Sequence, residues 1–135
     1  MFTEKEIEYL RSQPLGRLAT VSDDGQPDAV PVGFEFDGSA FIIWGRNMIS
    51  TRKYKNIESG NPKVSLIVDD LKTIDPWNPR GLRVYGRAEI VERTGRRGVA
   101  KVLRVVPEVS WSWNVEKSAF SDGKFEVHKS AHEAG

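Results

Sequence analysis

Residues 15–44 read LGRLATVSDDGQPDAVPVGFEFDGSAFIIW. Short apolar runs are cut by two turn signals, Asp23-Asp24-Gly25 and Asp37-Gly38. The stretch is therefore predicted as three consecutive strands, Leu15–Ser22, Asp28–Phe36 and Ala40–Gly45, joined as a meander. Pro31 has no N–H to offer a ladder, which places the second strand at an edge or a bulge.

Upstream, Thr3 and Glu6 have the T-x-x-E spacing of a capping box, with Phe2 and Ile7 placed as a hydrophobic staple. A short helix is predicted there, with Ile7 and Leu10 facing the core and Pro14 and Gly16 ending it. Downstream, Ser50 is the expected N-cap of a helix that ends near Gly60, before Asn61-Pro62. Val64, Leu66 and Val68 alternate in a strand over Lys63–Asp69. Leu71–Gly81, with Pro76 and Pro79, reads as a loop, and Leu82–Val91 as a strand. Val99, Val102, Leu103 and Val106 follow the i, i+3, i+4, i+7 pattern, which predicts a helix capped by Thr94 and ended by Pro107. Glu108–Val115 is the expected last long strand, Phe125–His128 a short addition, and 129–135 a frayed tail. About six strands and three helices, with hairpins and no βαβ rhythm, describe a mainly β single domain over 1–135. A small β-barrel with helices outside it is expected.

A chain of 135 residues has room for a core without metals or disulfides. It has no cysteine, which excludes a disulfide scaffold, thiolate metal ligation and a cysteine nucleophile. The 20 basic and 19 acidic residues nearly cancel, a poor balance for general nucleic-acid binding. Met1–Leu10 carries Glu4, Lys5, Glu6 and Glu8, unlike a signal peptide, and no apolar run approaches the roughly 18 residues of a membrane span. A cytoplasmic protein with no nucleic-acid or membrane partner is expected. His128 and His132 are four apart but lack a third ligand nearby, so no metal site is expected. No nucleophile–base set is visible, so no catalytic residue is assigned.

Chemistry is read instead from charge. Gly45–Asn56, GRNMISTRKYKN, holds Arg46, Arg52, Lys53 and Lys55 and no acid. With Ser50 as cap, Arg52 and Lys53 lie in a first helical turn, where cations are disfavoured unless an anion is held there. A solvated basic face is the alternative. Arg83 and Arg87 share one face of a strand with Tyr85, either reaching a ligand or pairing with Glu35 or Glu89. Arg96 and Arg97 are expected in the first turn of the third helix, as a solvated end or a second anion patch. Trp111 and Trp113 share a face opposite Ser110 and Ser112 and make either core or a flat aromatic wall, with Trp44 and Trp77 as further candidates.

The order of these segments carries a resemblance. GRLATVSDDGQPDAVPVGFEFDGSAFIIW, then STRKYKNIESGNPKVSLIVDD, then PRGLRVYGRAEIVE, resembles the pyridoxamine 5'-phosphate oxidase-like superfamily of split β-barrels over about Leu15–Val115. The ending VPEVSWSWNVEK is similar to the branch described as using coenzyme F420, a 5-deazaflavin, and to its subgroup that includes reductases of tetracycline biosynthesis. The resemblance implies a cofactor phosphate on Arg52 and Lys53, with Ser50, Thr51 and Lys55 close by. It implies that Ile43 and Trp44 run along the ring system and that the Arg80–Arg83 strand, with Arg83, lies near a homodimer interface. The implied activity is hydride transfer from reduced F420 to an electron-poor C=C or C=N, with Tyr85 or solvent as proton source. The same fold binding FMN, or a non-catalytic cofactor carrier, is the alternative. Two motifs of the oxidases proper are missing: Arg-Gln at the start of the late strand reads Arg80-Gly81, and no Arg-x-His occurs near the C-terminus.

Overall fold

The computed structural model describes residues 1–116 and 127–133. The chain runs α1 (Glu4–Ser12), β1 (Leu15–Val21), β2 (Pro27–Gly33), β3 (Glu35–Phe36) and β4 (Phe41–Ile43). A 3-10 turn (Met48–Ser50) then leads to α2 (Arg52–Glu58), β5 (Lys63–Thr73), β6 (Asn78–Gly95), β7 (Gly98–Trp113) and β8 (His128–Ala131). All pairings are antiparallel, in the order β2-β1-β5-β6-β7-β4-β3, with β8 added to β7. β2 and β3 stand at opposite ends of this path, yet only Phe34 separates them in sequence. The sheet must therefore curl until its ends meet, which gives a split barrel with no ladder between β2 and β3. This is the expected mainly β fold with short flanking helices.

Several expectations change. The first three strands are not one meander: β1 pairs with β2, but β4 pairs with β3 and β7. Pro31 does lie on an edge strand, since β2 ends the path. Residues 71–81 are not a loop, because β5 runs on to Thr73 and β6 starts at Asn78. The predicted third helix is absent. Gly95 pairs with Gly98 across Arg96-Arg97, and residues 98–113 are one strand. Val102 and Leu103 are both fully buried, so this strand has core on two faces and loses the alternation that marks a half-buried strand. Its valines, branched at Cβ, favour the extended chain. Pro107 ends no helix; it sits at a register shift opposite Gly86. A Cβ on Gly86 would meet the Val106 carbonyl at 2.5 Å, so the bulge needs glycine there. Before Pro107, β7 pairs with β4; after it, with β8. The added strand is His128–Ala131, so Lys129, Ser130 and Ala131 of the expected tail are paired, while Phe125 and Glu126 lie outside the described residues.

α1 forms as predicted. Thr3 and Glu6 close the capping box, and Leu10 is buried. Glu6 is also fully buried, accepting from the Thr3 N–H at 3.0 Å and the Ser112 hydroxyl at 2.6 Å. Phe2 packs edge-on against Phe36 and Phe41 beside the core of Leu18, Leu66, Val68, Leu82 and Val105. Among the described residues no helix is long and apolar enough to cross a membrane, and no group of three or more His, Cys, Asp or Glu is placed to hold a metal.

Candidate functional site

The basic segment leaves β4 at Trp44 and turns through Asn47, whose φ of 50° is left-handed, into the 3-10 turn. The cap of α2 is Thr51 rather than Ser50. Thr51 Oγ1 accepts the Tyr54 N–H at 3.3 Å and donates to the Met48 carbonyl at 2.6 Å. Ser50 Oγ donates to the Asn47 carbonyl at 2.9 Å, so both hydroxyls serve the turn itself. Tyr54 and Ile57 enter the core, and Asn56 donates to the buried Thr20 hydroxyl at 2.9 Å. This anchoring fixes where the cations go: Arg46, Arg52 and Lys55 are exposed, while Lys53 is half-buried. Burial holds the Lys53 ammonium below the usual lysine range, and the nearby charge of Asp28 works against that shift. Arg52 lies within reach of Asp24, whose carboxyl is held low chiefly by the Ser22 hydroxyl.

Two buried polar atoms here bond to nothing: Asp28 Oδ2 and Trp44 Nε1. Buried polar groups are nearly always hydrogen-bonded, so each orphan marks a place for a ligand group or water. The Trp44 ring lies against Gly95, where a Cβ would come within 3.0 Å of it. The close approach of Gly95 to the indole therefore depends on its lack of a side chain. Arg96 and Arg97 follow at the exposed tip of this β6–β7 hairpin, not in a helical turn, so the dipole argument for an anion on them disappears. Ile43 is fully buried in the core and pairs with Leu103 of β7, so only Trp44 of the two is partly accessible. A desolvated cation near a buried acceptor fits a phosphorylated ligand that carries hydroxyls, and the indole N–H of Trp44, beside the β6–β7 hairpin, is a further unmet donor.

The remaining site candidates lie elsewhere. Val84 is buried and its neighbours Arg83 and Tyr85 point to the outer face, away from the core that α2 joins. Neither expected pairing forms for Arg83, since Glu89 takes Arg104 at 2.8 Å. Instead its guanidinium stacks 4.4 Å from the Trp111 ring centre and 5.2 Å from that of Tyr85, with Nε buried and unpartnered. Trp111 and Trp113 form the outer wall and Ser110 and Ser112 the inner face, so the tryptophans are not core. Within one chain, Arg83 and Lys53 are not brought together. Asp28 went unnoticed in the sequence, although Asp28, Val30 and Val32 alternate onto one inward face.

The model of the Pyridoxamine 5'-phosphate oxidase family matches residues 2–113, most of the chain. The chain belongs to the pyridoxamine 5'-phosphate oxidase family. The family is consistent with a flavin- or deazaflavin-binding oxidoreductase. This family member is 38% identical over 121 residues to a 5a,11a-dehydrotetracycline/5a,11a-dehydrooxytetracycline reductase of Streptomyces rimosus, spanning 85% of this chain and 84% of the relative. A solved structure described as an F420 reductase is 25% identical, with a TM-score of 0.59 over 76% of this chain and 94% of that one. A heme binding protein from Mycobacterium smegmatis superposes with a TM-score of 0.68 over 97% of this chain and 59% of its own, but at 15% identity it shares the fold alone.

Proposed function

We propose that this family member is an F420-dependent reductase acting on a small organic substrate. The observation that carries the reading is the 38% identity to a reductase across 85% of the chain. The cations of residues 46–55, a segment with no acid of its own, give the cofactor phosphate a place to lie. When bound, the reduced deazaflavin supplies a hydride to an electron-poor C=C or C=N of the substrate. Lys53 is the main phosphate cation and Arg52 the second, with Lys55 and Arg46 adding charge at longer range. Thr51 and Ser50 shape the turn that presents them. Trp44 borders the ring, with Ile43 buried behind it in the core. Arg83 and Tyr85, on the outer face, reach a site only from a second copy, so the working form is a homodimer with Tyr85 or solvent as the proton source.

FMN has the same ribityl phosphate, so the two cofactors are separated by experiment. Apo protein is titrated side by side with F420 and with FMN, following cofactor fluorescence. Reduced F420 is then offered with a conjugated enone. Tighter binding of F420 together with enone turnover is expected. Tighter binding of FMN reassigns the cofactor, and F420 binding without turnover of enones or imines makes the protein a carrier.

A further inference from the structure

Beneath α2, the start of β2 holds a carboxylate with an unmet bond. Asp28 stands opposite Thr20 in the β1–β2 register, so the two side chains share the inward face. Thr20 is fully buried and its hydroxyl is taken by Asn56. Asp28 Oδ2 is buried too, and has no partner. Lys53 is close enough for Asp28 to act on its charge, yet the two form no ion pair within 4.0 Å. An amine and a carboxylate that feel each other's charge without closing into a pair leave the buried oxygen of Asp28 with a bond still to be met.

The chemistry of the group that meets it follows from its two neighbours. It must give a hydrogen bond to Asp28 and present an anion to Lys53 a few atoms away. A phosphorylated polyol does both, because its hydroxyls lie a few carbons from the phosphate. A ring N–H of the cofactor is separated from the phosphate by the whole ribityl chain. We infer that Asp28 accepts a hydrogen bond from a ribityl hydroxyl of the cofactor whose phosphate lies on Lys53. This rests on the cofactor reading above. Asp28 then also selects: its charge repels a phosphate that brings no hydroxyl, so it separates a polyol phosphate from a bare one.

The test measures binding rather than turnover. Wild type, Asp28→Ala and Asp28→Asn are titrated calorimetrically with F420 and FMN, and each is melted without ligand. Asp28→Ala is expected to weaken the cofactor that wild type binds by about tenfold. Asp28→Asn, which keeps a carbonyl acceptor, is expected to recover most of that loss. Inorganic phosphate should bind Asp28→Ala no more weakly than wild type. On wild type alone, ribitol 5-phosphate should displace the cofactor at about a tenth of the concentration that pentyl phosphate needs. This comparison holds even if the alanine variant does not fold. Unchanged or tighter cofactor binding by Asp28→Ala, or equal potency of the two phosphates, overturns the inference. Wild type that binds neither F420 nor FMN overturns the cofactor reading itself, and the role of Asp28 with it.

Discussion

At Lys53, burial and charge pull in opposite directions: desolvation disfavours the ammonium, and Asp28 favours it. A phosphate arriving there would favour the charged form further. One charge-assisted contact is worth about 1.5–3 kcal/mol, or roughly one to two decades in dissociation constant. Lys53→Ala should therefore bind cofactor about 10- to 100-fold more weakly at fixed ionic strength. Calorimetry checks this, and an unchanged constant removes Lys53 from the site. The cations were legible because their sequence holds no acid among them. The cap was misplaced by one residue, since Ser50 and Thr51 are both able to cap and only the 3-10 turn decides between them. Asp28 was harder to see, because its significance comes from what fails to pair with it in space.

Among the elements, α1 is held by a clamp that no local pattern announces. Tyr9 donates to Asp70 Oδ1 at 2.7 Å, and Arg80 closes on the same carboxylate with contacts of 2.8 and 3.0 Å. The Arg80 guanidinium also lies 5.0 Å from the Tyr9 ring centre. Its hydrogen bond, followed by that of Tyr9, holds the Asp70 carboxyl below the usual aspartate range. A depressed folded value stabilises the fold above the unfolded carboxyl range and loses that contribution as pH falls through the folded value. Thermal melts should thus show stability dropping below about pH 4, and Asp70→Asn should lower stability at pH 7 while flattening the drop. A variant with the same acid slope as wild type would show that the clamp contributes nothing to it. Strands with one wet face were readable from alternation, as β1 and the start of β5 were. β7 was not, because valines buried on both sides imitate the spacing of a helix until the β6 and β4 ladders are known.

For the whole molecule, the outer face sets the expected assembly. Tyr85 is 45% exposed and packs edge-on against Trp111 at 4.8 Å, with Arg83 and Lys129 also lying over the tryptophan ring. A contiguous aromatic patch with a buried, unpartnered guanidinium nitrogen suits burial against another surface. Sedimentation at micromolar concentration should show a dimer, and Trp111→Glu should shift it toward monomer with loss of cofactor binding. A monomeric wild type that binds cofactor normally contradicts this. The mainly β barrel was legible from hairpin signals, but the crossing of β4 onto β7 was not, since its pairing partners lie about sixty residues apart.

Phe34 gives the barrel a property that hydrogen bonds alone would not. The two rims of the sheet that never bond are tied by a single peptide segment, so the seam is a covalent hinge rather than a zipper. Widening that seam has no backbone ladder to break, but its reach is capped by the length of one residue. Phe34 also packs edge-on against the fully buried Phe41, 5.8 Å between ring centres, so the link that closes the barrel is itself pinned to the core.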